Sequence, residues 1–185
     1  MLRSLAVALG VFFLWAVPAS AAPQTCAAGS YSVVVSPDST SISILLDDMV
    51  ADHGAAERVC TVHVPLNLPE GQSLGVYRVD YRGYAHLGTK GFGELSADYV
   101  FGPNKTRKFS RKITGPTDSD SVFTENIGAG LMKRAGCGTD AALDVTLRIA
   151  LPVSALQDDI ASIDSADGAP KGGVTYHLDL KKCHP

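Results

Sequence analysis

Apolar and polar side chains alternate at every second position along most of this 185-residue chain. That period belongs to strands buried on one face and leaves no room for long helices. The clearest run sets Leu143, Val145, Leu147, Ile149, Leu151 and Val153 inward against Asp144, Thr146, Arg148 and Ala150. Cys60, Val62, Val64, Leu66 and Leu68 alternate in the same way with Thr61, His63, Pro65 and Asn67, and Pro65 places that strand at an edge or bulge. Leu95, Ala97, Tyr99 and Phe101 face in while Glu94, Ser96 and Asp98 face out. Val174, Tyr176, Leu178 and Leu180 face in while Thr175, His177, Asp179 and Lys181 face out. Tyr31, Val33 and Val35 form one arm of a hairpin and Ile42, Ile44 and Leu46 the other. The turn between them, Ser36-Pro37-Asp38-Ser39, combines a fixed φ with side chains that bond the local backbone. With a weaker strand over 122–127, about eight or nine strands result, and the expected fold is an all-β, disulfide-stapled antiparallel β-sandwich.

The longest strand runs from Gln72 toward Gly88. Over 77–87 its odd positions, Tyr77, Val79, Tyr81, Gly83, Ala85 and Leu87, form a dry face, with Gly83 marking a bulge or a close backbone approach. Its even positions, Arg78, Asp80, Arg82, Tyr84 and His86, form a charged face whose members stand about 6.5 Å apart. Two readings of this face stay open. It is a binding surface, or Arg78, Asp80 and Arg82 are answered by ion pairs with Glu94 and Asp98 on the next strand. A second basic stretch, 105–112, holds Lys105, Arg107, Lys108, Arg111 and Lys112. It is a patch for an anionic polymer or an edge strand protected by cations against sheet-to-sheet pairing.

Other motifs are weaker. Gly71-Gln72-Ser73-Leu74-Gly75 has the letters of a nucleophile elbow, but a strand follows it where the elbow needs a helix. The acidic segments with Asp47, Asp48 and Asp52, and with Asp158, Asp159, Asp164 and Asp167, lack the spacing of a calcium loop. His63 reads as a surface histidine. Asn104-Lys105-Thr106 is a glycosylation sequon, meaningful in a eukaryotic source. The stretch 128–136 reads as a connection with one helical turn over 131–134, and 154–173 as a long loop.

At the amino end, Arg3, an apolar run over 5–17 and Ala19-Ser20-Ala21 read as a signal peptide over 1–21, leaving one domain over 22–185. The apolar run is too short to cross a bilayer, so no stable membrane insertion is expected after cleavage. The net charge of −3 argues against nucleic acid or anionic membranes as partners. Cys26, Cys60, Cys137 and Cys183 form an even set in an exported chain, which reads as two disulfides in an extracellular or periplasmic protein; their spacing is not that of a zinc site. If strands simply run up and down, parity pairs Cys26 with Cys60 and Cys137 with Cys183, although one Greek-key crossover would change that.

A set of motifs spans the chain from Cys26 to Cys183: Ser36-Pro37-Asp38, Pro69-Glu70-Gly71, Asp80-Tyr81-Arg82-Gly83-Tyr84, Tyr99-Val100-Phe101-Gly102, Thr114-Gly115-Pro116, Cys137-Gly138, Asp164-Ser165-Ala166-Asp167-Gly168 and Tyr176-His177. As a set it resembles a family of secreted fungal and bacterial proteins catalogued as a domain of unknown function. Thr25 and Ala27 around Cys26, and Leu143-Asp144-Val145 after Cys137-Gly138, depart from the family's usual pattern. The resemblance implies secretion, disulfides and a β-rich fold, and it carries no catalytic residues.

No nucleophile, metal cluster or cofactor loop emerges, so no cofactor is expected. The functional expectation is a non-enzymatic exported module that binds a surface polymer or a partner protein. Its candidate face is Arg78, Asp80, Arg82, Tyr84 and His86, with Arg107, Lys108, Arg111 and Lys112. The alternative is an extracellular hydrolase of a polysaccharide or other polymer, with Asp80, His86 or outlying carboxylates such as Glu94 and Asp98 as acid and base.

Overall fold

A computed structural model describes residues 26–104, 106–128, 133–138, 141–163 and 173–183. The expected leader over 1–21, Lys105 of the sequon, Leu131 and Met132 of the expected helical turn, and Asp164 and Asp167 lie outside the described residues. Among the described residues twelve strands make two sheets. They are β1 (Tyr31–Val35), β2 (Ser41–Leu46), β3 (Val50–Ala51), β4 (Glu57–Pro65), β5 (Gln72–Leu87), β6 (Phe92–Phe101), β7 (Arg107–Thr114), β8 (Thr117–Asn126), β9 (Arg134–Gly136), β10 (Ala142–Ala150), β11 (Ile160–Ser162) and β12 (Gly173–Lys182). Nine of them have five or more residues; alternation announces eight of these, and β7 lies on the basic stretch that reads as an edge strand. The other three, β3, β9 and β11, are too short to show a period. β11 falls inside the expected long loop, which is corrected, and β9 occupies the end of the 128–136 connection, taking Arg134 from the expected helical turn.

One sheet runs β4-β10-β6-β7; the other runs β1-β2-β12-β5-β11-β3, with β8 and β9 also paired to β5. The four-stranded sheet has β4 and β7 at its edges, where Pro65 and the basic stretch suit an unpaired ladder. Between the sheets lie Leu143, Val145, Leu147 and Ile149 from β10, and Val79 and Tyr81 from β5, all nearly inaccessible. The Tyr81 and Phe109 rings stack at 4.2 Å across the sandwich, and Tyr99 meets Tyr176 edge-on at 5.6 Å.

β5 organises the larger sheet. It pairs with β12 and β11 along one side and with β9 and β8 along the other. Its alternation breaks once: His177 lies opposite Arg78 and Leu178 opposite Val76, which leaves Tyr77 with no partner on β12. This is a bulge, and one extra residue reverses the faces on either side of it. Leu74 and Val76 are buried before it, and Val79, Tyr81, Ala85 and Leu87 after it, while Tyr77 itself is 44% exposed and not on the dry face as expected. At Gly83 a Cβ would collide with the Ser162 carbonyl, so the glycine is there for the close passage of β11.

Three further expectations change. β5 and β6 belong to different sheets, so Glu94 and Asp98 do not neutralise the β5 charges; they face Lys112 and Lys108 instead. Val33 and Val35 are exposed because β1 is an edge strand. Val153 is exposed because β10 ends before it, and Leu180 is 37% exposed near the end of β12.

The disulfides join Cys26 to Cys60 and Cys137 to Cys183, the pairing that strand parity prefers. Cys137 N–H donates to the Gln72 carbonyl and Cys183 N–H to the Gly71 carbonyl, so the second bridge joins β9 and β12 across the start of β5. Asp159, from the expected acidic loop, is buried and accepts from the N–H groups of Gly88 and Leu156 at 2.8 Å each. It clamps the β5–β6 connection.

Candidate functional site

After the bulge, the even residues of β5 stand on the outer face of the eight-stranded sheet. Register then decides their neighbours. Asp80 lies opposite Thr175 of β12 on one side and Thr124 of β8 on the other, and Arg78 lies opposite His177 and Asn126. Arg78 and Asp80, two positions apart on one face, form a forked pair: Nε donates to Oδ1 at 2.9 Å and Nη2 approaches Oδ2 at 2.7 Å. Thr124 Oγ1 donates to Oδ1 at 2.6 Å, and His177 Nε2 lies 2.8 Å from Oδ2. Asp80 is thereby buried, at 4% exposure, on a face that is otherwise wet. Burial pushes its carboxyl up, but the bonds from Arg78, Thr124 and His177 outweigh burial and hold it below the ordinary carboxylate range. Tyr77, turned out by the bulge, sets its ring 6.0 Å from that of His177.

Further along β5, Tyr84 Oη donates to Asp118 Oδ1 at 2.5 Å and His86 Nδ1 lies 3.5 Å from the same oxygen. Those two contacts lower the Asp118 carboxyl. At the other end, Arg134 of β9 reaches across Ser73 of β5 to Asp179 of β12, 2.8 Å from Nη1 to Oδ2. Between these groups stands Arg82, exposed and without an ion-pair or hydrogen-bond partner among the described residues.

The basic stretch does not join this face. Lys108 pairs with Asp98 at 3.0 Å and Lys112 lies 3.9 Å from the Phe92 ring centroid, both on the four-stranded sheet; Arg111 lies 5.7 Å from the Phe109 ring. Arg107 turns inward to Glu125, 3.1 Å from Nη2 to Oε1, and its Nε donates to Tyr99 Oη at 3.1 Å. Tyr99 and Tyr81 both donate to Glu125 Oε2, at 3.2 and 3.4 Å. This interior cluster ties β5 and β8 to β6 and β7. Burial first, and then the neighbouring charge, push the phenols of Tyr81, Tyr99 and Tyr176 far above the ordinary range. Arg107 and Tyr99 also line an open cleft of about 470 Å³ with Val76, Phe101, Ile127 and Lys133.

The sequence brings Arg78, Asp80, Arg82, Tyr84 and His86 onto one face, and it does not bring His177 or Thr124 there. Their contact with Asp80 depends on pairing across 44 residues for Thr124 and 97 for His177. The signal available for Glu125 is an acidic residue at an inward position between Phe123 and Ile127. Among the described residues no helix is long and apolar enough to cross a membrane, and no three His, Cys, Asp or Glu side chains gather as metal ligands. Ser73 is buried in a strand and bonded to Arg134, which is no setting for a nucleophile.

Two solved structures show weak likeness. TmCBM61 in complex with β-1,4-galactotriose aligns at a TM-score of 0.34 and 13% identity, covering 83% of this chain and 82% of that one. A Cry1Da tryptic core variant of Bacillus thuringiensis aligns at 0.28 and 11%, covering 81% of this chain and 21% of that one. At such scores neither says what this chain binds. An uncharacterized secreted protein of Arthroderma benhamiae is 27% identical over 133 residues, 68% of this chain. The chain spans about half the length of that relative, 54%. With two disulfides and a secreted relative, the protein is a secreted one. The family model described as "Domain of unknown function (DUF4360)" matches residues 19–183, nearly the whole sequence, and the chain belongs to that family.

Proposed function

We propose that the protein is a secreted, non-catalytic module that binds a surface polymer along the outer face of the eight-stranded sheet. The observation that carries this reading is the contrast between two arginines on β5: Arg78 is committed to Asp80, whereas Arg82, two positions on, is exposed and unpartnered among the described residues. A guanidinium on a strand paired along both edges presents a planar fork of donors from a backbone that is already fixed, so binding has only the side chain left to order. On either side of it stand Tyr77 with His177 and Tyr84 with His86, rings and polar edges that suit a chain rich in hydroxyl or carboxylate oxygens. Asp80, the carboxylate a hydrolytic reading would choose, is saturated by donors and held ionised, which makes it a poor general acid.

Immobilised glycans and cell-envelope fractions, probed with the disulfide-bonded protein, test the proposal. Arg82→Ala is expected to lower retention on a bound polymer by about tenfold, the loss of one charge-assisted contact, while Lys108→Ala on the opposite sheet leaves it unchanged. Retention that ignores Arg82→Ala, or that falls with Lys108→Ala alone, overturns the assignment of this face.

A further inference from the structure

Among the described residues, the free edges of the two sheets are not alike. β7 carries Lys108, Arg111 and Lys112; β4 carries Glu57, Arg58 and Pro65; β8 carries Asp118, Asp120 and Glu125; β3 and β9 have two and three residues. Charge, proline and shortness are the devices that keep an edge from pairing with another chain. β1, Tyr31-Ser32-Val33-Val34-Val35, has none of them, and Val33, Val34 and Val35 are 36%, 48% and 53% exposed.

The phase of its ladder says which groups are free. Ser36 N–H donates to the Ser41 carbonyl and Asp47 N–H to the Ser30 carbonyl, so Ser30, Ser32, Val34 and Ser36 bond to β2. Tyr31, Val33 and Val35 therefore turn their N–H and C=O groups away from the sheet. We propose that this edge is an interface between two copies of the chain, paired antiparallel about a two-fold axis through Val33. That register sets Val33 against its own image and Tyr31 against Val35 of the second copy, and every outward N–H and C=O of β1 meets an outward partner. No other centre satisfies all three residues.

The side chains agree with the register. Tyr31, Val33 and Val35 share one face, so the axis brings apolar groups together; Ser32 meets Val34 on the other. Val35 borders a cleft of about 500 Å³ whose walls include Leu66, Leu68 and Leu180, and Tyr31 of the second copy would lie beside it. Charge also selects this edge: a two-fold through β1 superposes no charged residue on its image, whereas one through β7 or β8 sets like charges against each other. A five-residue seam is small, so the dimer is expected to be a weak, concentration-dependent one.

Sedimentation of the disulfide-bonded protein from micromolar to millimolar concentration, with amide hydrogen exchange at each concentration, tests the interface. Protection at Tyr31, Val33 and Val35 should rise with concentration, while Ser32 and Val34, already bonded to β2, stay constant. Val33→Pro removes the outward N–H at the axis without touching the β2 ladder, and should raise the dissociation constant by about tenfold or more. Val34→Lys, at an exposed position near the axis, should do the same if the proline variant fails to fold. A monomer at every concentration, odd-residue protection that does not follow concentration, or a dimer indifferent to both substitutions overturns the proposal.

Discussion

Asp80 and Glu125 are built from the same parts and do different work. Each carboxylate takes an arginine and at least one hydroxyl. Asp80 sits on the outside of one sheet and joins β5 to β8 and β12, strands the backbone ladder already joins. Glu125 sits between the sheets and joins strands that share no ladder, since Tyr81 belongs to one sheet and Tyr99 and Arg107 to the other. The first cluster shapes a surface, and the second is a polar clasp through an apolar core. The two should also fail at opposite ends of the pH scale. Asp80 has its pKa depressed by folding, so its contribution is full above the ordinary carboxylate range and is lost as pH falls through its lowered value. Tyr81, Tyr99 and Tyr176 have theirs raised, so stability falls as pH climbs past the ordinary phenol range, where the unfolded chain gives up protons that the fold retains.

The largest effect is expected at the clasp. Glu125→Met leaves Arg107 facing the core without its partner, and chemical denaturation should show a loss of about 2–3 kcal/mol, reduced from the range for fully buried pairs because Arg107 is partly exposed. Adding Arg107→Met should recover part of that loss; if the double variant is worse than the single one by a further full increment, the two residues do not act as a pair. Asp80→Asn should cost less, about 1–2 kcal/mol at neutral pH. The gap between wild type and variant should close as pH falls, and a gap that stays constant down to acid unfolding would remove Asp80 from the acid response. The smallest change is Thr124→Val, which deletes one hydrogen bond to Asp80 and should cost about 1 kcal/mol or less in the same denaturation experiment. A larger cost would mean that Thr124 also orders β8.

The sequence reveals strands better than it reveals neighbours. Alternation in β10, β6 and β12 is a local property and can be read residue by residue, and so can the shared face of Arg78, Asp80 and Arg82. Which strand lies beside β5 is not local. Glu94 and Asp98 are the nearest outward carboxylates in the next strand of the chain, yet the turn after Leu87 carries the chain into the other sheet, and Thr124 and His177 take the place beside Asp80. Elements of two or three residues have no period to detect, so β3, β9 and β11 are invisible, and with them the identity of the backbone whose close approach Gly83 signals. Asp159 reads as one acid among several in a loop, because what distinguishes it is burial beneath Gly88 and Leu156, a tertiary fact.

The bulge at Tyr77 makes β5 a strand that counts its residues. Deleting one position there would leave the charged face after it in place and turn the first five residues over, sending Leu74 and Val76 to water and Ser73 and Gly75 toward the core. The second disulfide crosses that first segment, so the chain could not escape by slipping along β12. Length changes in this chain therefore belong in its connections; within β5, substitution is open to it away from Gly83, and insertion or deletion is closed.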